Sequence, residues 1–173
     1  GYFLPGGERI ISSQGEEIFT YLDKGDCKPP LAIYFSGYRK QEGFEGYNMM
    51  RKLGCPFMLI TDPRLEGGAF YIDNADLENK VLAYIKEKIN ELGFTYSDVV
   101  ISGMSMGTYG ALNYGSKLSP YALILAKPLT EMGTVAENER INRPGVFATS
   151  LDLLMKNYGS LSRNCLLYTS DAA

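Results

Sequence analysis

Hydrophobic and polar positions along the chain follow two alternating patterns. Four short runs are apolar at nearly every position: "PLAIYFSG" (30–37), "PFMLITD" (56–62), "SDVVISG" (97–103) and "YALILAK" (121–127). Such runs are typical of strands buried on both faces of a parallel sheet. Helical patterns separate them, so the order predicts an α/β fold with a doubly wound, mostly parallel sheet.

Three helices are predicted between these strands. The longest covers residues 75–93 and ends at Gly93, because its apolar positions recur every three or four residues: Leu77, Val81, Ile85, Ile89 and Leu92. A shorter helix is predicted within residues 44–53, and a third from Ser105 to about Lys117.

The two ends of the chain follow other patterns. "ERIISSQ" (8–14) and "EEIFTYL" (16–22) flank Gly15 and predict antiparallel strands within a leading segment, residues 1–30. Beyond residue 127 a long connection precedes a short helix at residues 150–157.

Composition and charge narrow the function classes. The chain has 17 basic and 20 acidic residues, a net charge of -3, and its basic residues are scattered, so nothing favours nucleic-acid binding. Cys27, Cys55 and Cys165 have no C-x-x-C spacing, which favours reduced thiols in an intracellular protein. No apolar run approaches the roughly 18 residues of a membrane span. We therefore expect a cytoplasmic protein, although the chain does not begin with Met and the true N-terminus can lie upstream. We expect no metal site.

The strongest candidate chemistry is the stretch "ISGMSMGTYG" (101–110). It contains G-x-S-x-G, the nucleophile elbow that presents a serine on a sharp strand-to-helix turn of an α/β-hydrolase-like fold. Ser105 is then the nucleophile, and Gly103 and Gly107 give the turn its space. The alternatives are an incidental serine at a helix start or a phosphate-binding loop. The glycine spacing fits neither G-x-G-x-x-G nor a Walker loop.

An acyl-transfer site of this type needs amides that stabilise an oxyanion. The residue after the nucleophile, Met106, supplies one. A second is expected from the loop that leaves the first apolar strand, at Gly37 or Tyr38, where the alternative is a plain turn. Asp62, Arg64 and Glu66 follow the next strand and can bind polar substrate groups such as sugar hydroxyls. An Asp62–Arg64 ion pair at a turn is the competing interpretation.

The catalytic base is a difficulty, because the chain contains no histidine. An elbow serine normally transfers its proton to histidine. Glu131 lies in an unusual place for a triad acid and is only a weak candidate. The serine is therefore incidental, or it has lost its chemistry, or the partner residues lie outside this chain.

Five segments in order resemble the second accessory secretory protein (Asp-two) family of Gram-positive bacteria. They are "FSGYRKQEGFEGYNMM", "PFMLITDPRLEGGAFY", "ISGMSMGTYGALNYG", "LAKPLTEMG" and "RPGVFATSLDLL", which together span about residues 31–155.

The resemblance implies a cytoplasmic partner of accessory Sec proteins and a SecA/SecY-type translocase, peripheral at the membrane. The exported cargo would be serine-rich repeat glycoproteins. It further implies Ser-dependent O-acetyltransferase or esterase activity on N-acetylglucosamine hydroxyls. Ser105 takes the nucleophile position, while the acid and histidine lie downstream of the elbow and match no residue here. No cofactor is implied, and the acetyl donor is unspecified. A non-catalytic scaffold and a generic carboxylesterase are the alternatives.

The final nine residues, "CLLYTSDAA" (165–173), resemble a translated transposon-end adapter from sequencing-library preparation. We therefore expect residues 1–164 to be a partial α/β-hydrolase domain, incomplete at its C-terminal side, and residues 165–173 to be a non-native tail. The competing interpretation makes "LLYTS" a strand followed by Asp171 as triad acid. A nine-residue match to an adapter is less expected by chance than a strand-like run of five residues, so Asp171 is left out of the predicted site. Without a histidine, the fragment alone is expected to show no useful turnover.

Overall fold

The computed structural model describes residues 5–37, 44–63 and 74–125 with their side chains, and residues 126 and 165–169 as backbone. In these ranges the strands are β1 (Glu8–Ile11), β2 (Glu17–Asp23), β3 (Leu31–Phe35), β4 (Phe57–Thr61), β5 (Val99–Met104), β6 (Ala122–Ala126) and β7 (Cys165–Thr169). The helices are α1 (Tyr47–Arg51), α2 (Ala75–Glu91) and α3 (Gly107–Leu118), with a 3-10 turn at Tyr96–Asp98. From β3 onward strands and helices alternate, which confirms the α/β class.

The described strands form one sheet in the order β1-β2-β4-β3-β5-β6-β7. β1 pairs antiparallel with β2, and β2 pairs antiparallel with β4. The remaining pairs, β3–β4, β3–β5, β5–β6 and β6–β7, are parallel. The predicted antiparallel leading strands and mostly parallel sheet are confirmed. Within the parallel part β3 lies between β4 and β5, so its carboxyl end is flanked by those two strands.

The predicted elements match the observed ones with small shifts at their ends. α1 is shorter than the predicted segment because Gly46, at φ 87, holds a left-handed turn immediately before it. α3 begins at Gly107, two residues after its predicted start. The 165–169 run is a strand, whereas the predicted 150–157 helix lies outside the described residues.

The core has two parts, one on each face of the sheet. α2 and α3 cover one face, where the buried side chains of Leu31, Ile33 and Phe35 point. The other face of β3 carries Ala32 and Tyr34, which pack with Met50 of α1. Since side chains alternate along a strand, the continuous apolar run of β3 fills both layers, as the doubly wound prediction requires.

α2 shows how local sequence fixes an element of this core. Its buried side chains are the predicted stripe Leu77, Val81, Ile85 and Ile89. The Asn74 side chain accepts a hydrogen bond from the Leu77 amide at 3.0 Å and caps the first turn. Gly93, at φ 75, follows the last turn, which confirms the predicted glycine stop.

Candidate functional site: a serine elbow at the carboxyl edge of the sheet

The turn between β5 and α3 has the geometry of a nucleophile elbow. β5 ends at Met104, α3 starts at Gly107, and Ser105 lies between them with φ 57. A left-handed conformation is unfavourable for a residue with a Cβ, so it persists only where the surroundings impose it. The strand, serine and helix predicted from G-x-S-x-G are therefore all present.

The two elbow glycines are required by close backbone contacts. A Cβ on Gly107 would lie 2.0 Å from the Phe35 carbonyl oxygen, and one on Gly103 would lie 2.4 Å from the Gly107 carbonyl oxygen. Only glycine fits at both positions. The first turn of α3 consequently packs directly on the carboxyl end of β3, which brings the elbow beside the residues that follow β3.

Thr108 supports the elbow from the first turn of α3. Its amide and its hydroxyl both donate to the Ser105 carbonyl, at 3.1 Å and 2.7 Å. Ser105 itself is only 3 % exposed, so its hydroxyl lies in a site that bulk water hardly reaches. Thr108 was not among the site residues predicted from the sequence. Its signal was a hydroxyl residue three positions after the serine, the spacing of a Ser/Thr turn.

Three of the predicted site residues leave neighbouring strands at one edge of the sheet. Gly37 follows β3, Asp62 follows β4 and Ser105 follows β5. In the parallel register Phe35 is opposite both Ile60 and Gly103, so the chain positions two residues further on are Gly37, Asp62 and Ser105. Ligands bind outside this carboxyl edge in open α/β sheets.

The amides proposed for the oxyanion differ in their surroundings. Met106 is the N-cap of α3, and the first bonded amides of the turn are those of Thr108 and Tyr109, so the Met106 amide precedes the helical hydrogen bonds. The Gly37 amide donates to the Glu45 carboxylate at 3.4 Å. Tyr38, the other predicted donor, lies outside the described residues.

The predicted polar substrate-binding group is only partly described. Asp62 is 2 % exposed at the end of β4, whereas Arg64 and Glu66 lie outside the described residues, as do Glu131 and Asp171. Their roles stay predictions. Sequence reasoning also missed the hydroxyl pair Ser36 and Thr61, whose oxygens are 2.9 Å apart beside Asp62. Their positions at the ends of two adjacent parallel strands were the available signal.

Cys55 is a buried thiol in the described part of the chain, and it is held in the neutral form. Burial, with a smaller effect from Asp26, raises the pKa of Cys55 to about 11. A thiol of that pKa is almost fully protonated at neutral pH and is a poor nucleophile. Both Cys27 and Cys55 are free thiols.

The fold and the elbow define an α/β-hydrolase-like protein, and comparisons with known proteins agree. At 17% identity, an esterase from Thermogutta terrifontis superposes with a TM-score of 0.51, over 99% of this chain and 85% of its own. An arylesterase superposes with a TM-score of 0.50 at 16% identity, over 79% of this chain and 48% of its own. At such identities the likeness concerns the fold alone.

The family itself follows from closer relatives. Residues 1–167 match the model of the accessory Sec system GspB-transporter family, and the chain belongs to that family. It is 49% identical over 163 residues to accessory Sec system protein Asp-two of Staphylococcus aureus, covering 94% of this chain and 31% of the relative. The Streptococcus gordonii protein of the same name is 48% identical, with 94% and 32% covered. The chain thus spans about a third of the length of these relatives.

A solved structure at comparable identity supports the same assignment. A chain of the glycosylation associate protein (Gap123) complex from Streptococcus agalactiae is 54% identical and superposes with a TM-score of 0.71, over 91% of this chain and 30% of its own. In the described part of the present chain, none of the helices is long and apolar enough to cross a membrane.

Proposed function

We propose that the full-length protein serves the accessory Sec export system and that Ser105 is the nucleophile of an O-acyl transferase or esterase within it. The family is described as a GspB-transporter, and the Streptococcus agalactiae relative comes from a glycosylation-associated complex, which supports a glycoprotein cargo. The proposed acceptors are glycan hydroxyls of N-acetylglucosamine on serine-rich repeat glycoproteins. The proposed partners are accessory Sec proteins and a SecA/SecY-type translocase on the cytoplasmic side of the membrane.

The observation that carries the enzymatic part is the φ of 57 at Ser105. A left-handed serine is conformationally costly, and here two glycines that no larger residue can replace maintain it. A protein that used this fold only as a binding surface would have no physical need for that arrangement. Strained residues of this kind cluster at sites of chemistry.

The proposed reaction has two steps. The Ser105 hydroxyl attacks the carbonyl carbon of an acyl ester, its proton passes to a general base, and the Met106 amide, with a second amide beyond β3, stabilises the oxyanion. The donor alcohol then leaves with a proton, which forms the acyl-enzyme. In the second step a sugar hydroxyl, or water in an esterase, attacks the same carbonyl and restores the serine. This chain has no histidine, and the proposed base is a histidine in the rest of the full-length protein.

A fluorophosphonate probe tests the nucleophile. The experiment uses the full-length protein, because the relatives are about three times as long as this chain. We expect labelling of the wild type, loss of labelling in Ser105→Ala, and unchanged labelling in Ser116→Ala, a control on the exposed side of α3. Equal labelling of Ser105→Ala and wild type excludes Ser105 as the nucleophile.

The same preparation separates the competing functions. With an acetyl ester as donor, a transferase transfers the acetyl group to an N-acetylglucosamine glycan, whereas a carboxylesterase releases acetate at a rate the glycan does not change. A scaffold consumes no donor in either case, and it still binds its export partners when Ser105 is replaced by Ala.

A further inference from the structure

Glu45 contacts the amide that the sequence analysis proposed for the oxyanion. Its carboxylate accepts a hydrogen bond from the hydroxyl of Tyr34, and the same oxygen accepts one from the Gly37 amide at 3.4 Å. Tyr34 is 1 % exposed within β3, so its hydroxyl is a fixed anchor. Glu45 thereby connects the start of the α1 segment to the carboxyl end of β3.

The backbone around Glu45 fixes its position. The next residue, Gly46, has φ 87 and accepts a hydrogen bond from the Met50 amide at 2.9 Å in the first turn of α1. A Cβ on Gly46 would lie 3.1 Å from the Tyr34 ring, so the turn packs closely on that ring. The carboxylate is therefore held against β3 by both the chain and the tyrosine hydroxyl.

The contact between Glu45 and Gly37 places a negative carboxylate on the amide that is proposed to bind the negatively charged oxyanion of the reaction. The first turn of α3 packs on Phe35 and Ser36, the two residues before Gly37, so Gly37 and Ser105 lie close to each other at the same edge of the sheet. An oxyanion bound by the Gly37 amide has to replace the Glu45 oxygen, since two anionic oxygens on one donor repel each other. A separation of 3.4 Å is longer than usual for such a bond, so the contact to Gly37 is the weaker of the two.

We infer that Glu45 is a positioning residue that occupies the Gly37 amide in the resting site and competes with the acyl oxyanion for it. Tyr34 holds the carboxylate in place, and acylation of Ser105 requires the carboxylate to leave Gly37. This inference rests on the proposed function of Ser105.

Glu45→Gln in the full-length protein tests the competition. Glutamine keeps the acceptor oxygen and the size of the side chain but removes its charge, so the fluorophosphonate should label Ser105 about tenfold faster. Glu87→Gln removes an exposed charge from α2 and should leave the labelling rate unchanged. An unchanged or slower rate in Glu45→Gln, at an unchanged melting temperature, overturns the inference.

A second variant and a second readout keep the test decisive. If Glu45→Gln lowers the melting temperature, Tyr34→Phe is used instead, because phenylalanine keeps the ring against Gly46 and removes only the hydroxyl that holds Glu45. Ser105 should also be labelled faster in Tyr34→Phe. An unchanged or slower labelling rate in that variant counts against the inference. Hydrogen exchange of the Gly37 amide should accelerate in Glu45→Ala, and unchanged exchange means the contact does not protect that amide. Persistent labelling in Ser105→Ala, by contrast, removes the proposed function and leaves the exchange result intact.

Discussion

At the scale of single residues, Ser105 combines chemistry with conformational strain. Its φ of 57 costs roughly 1–2 kcal/mol in a residue with a Cβ, and the compact packing of Gly103 and Gly107 imposes it. The elbow therefore loses some stability but places the Ser105 side chain at the carboxyl edge of the sheet.

Replacement of Ser105 by glycine should release this strain. We expect Ser105→Gly to unfold with a free energy about 1 kcal/mol higher than Ser105→Ala, because alanine retains the unfavourable φ. Chemical denaturation of both variants measures the difference. At Ser116, within helical α3, the order should reverse, with alanine about 1 kcal/mol more stable than glycine. The same order at both positions contradicts the strain at Ser105.

Replacement of an elbow glycine by alanine should destabilise the protein more than the same replacement at an ordinary helical glycine. Gly107→Ala forces a Cβ to 2.0 Å from the Phe35 carbonyl oxygen and should cost about 3 kcal/mol or more. Gly115→Ala, also in α3, meets only the movable end of Leu123 at 3.2 Å, and its improved helix propensity should keep the change within about 1 kcal/mol. Thermal and denaturant unfolding of both variants compare them. Equal costs contradict the proposed packing of α3 on β3.

The sequence predicted part of this site at residue level. G-x-S-x-G is contiguous, so its spacing alone indicated Ser105, Gly103 and Gly107. The contact of Glu45 with Gly37 is a tertiary contact between residues eight positions apart, on either side of the connection from β3 to α1. No periodic pattern in the sequence encodes such a contact.

At the scale of elements, α2 depends on a cap as well as on its apolar stripe. Asn74→Ala removes the acceptor for the Leu77 amide and should lower the free energy of unfolding by about 1 kcal/mol. Asn90→Ala, at an exposed position near the other end of α2, should be close to neutral. Denaturant titration gives both values. A cost at Asn90 equal to that at Asn74 contradicts a capping role.

The strands show how far patterns predict elements and where they stop. Each of the four apolar runs forms a strand, because such runs are too short for a typical helix and are bounded by glycine or proline. The order of the strands in the sheet, by contrast, cannot be predicted from these local patterns. β3 lies between β4 and β5 through long-range pairing that leaves no mark in local periodicity, although this order makes Gly37, Asp62 and Ser105 neighbours.

At the scale of the whole molecule, Cys55 reports on the packing of the core. With its pKa near 11, its thiolate fraction at pH 8 is about 100-fold below that of a thiol with pKa 9, and burial slows its reaction further. A thiol reagent should therefore modify exposed Cys27 rapidly and Cys55 only after unfolding, in a Cys165→Ser background. Equal rates for the two thiols under native conditions contradict a closed core.

The same thiol makes stability depend on pH. The ordinary pKa of a cysteine thiol is 9.0, and burial in the folded chain raises the pKa of Cys55 to about 11. The unfolded state therefore releases more protons in that range, and the free energy of unfolding should fall as pH rises from 9 to 11. Cys55→Ala should reduce this fall relative to wild type when both are measured by denaturation at several pH values.

The composition of the whole chain also bears on whether it can turn over an ester by itself. The 173 residues contain no histidine, and the relatives are about three times as long. We predict that the chain by itself does not turn over an acetyl ester, since Ser105 has no histidine to take its proton. Ester hydrolysis by the isolated chain that Ser105→Ala abolishes contradicts this prediction and requires another base within the chain.

The central claim is that Ser105 carries an acyl group during the reaction. The most direct measurement mixes the full-length protein with an acetyl ester, quenches with acid after short intervals and identifies the modified peptide by mass spectrometry. We predict one acetyl group on Ser105 that forms quickly and disappears faster when a glycan acceptor is present. Donor consumption at the same rate in Ser105→Ala, with no acetyl group on Ser105 in the wild type, contradicts the account.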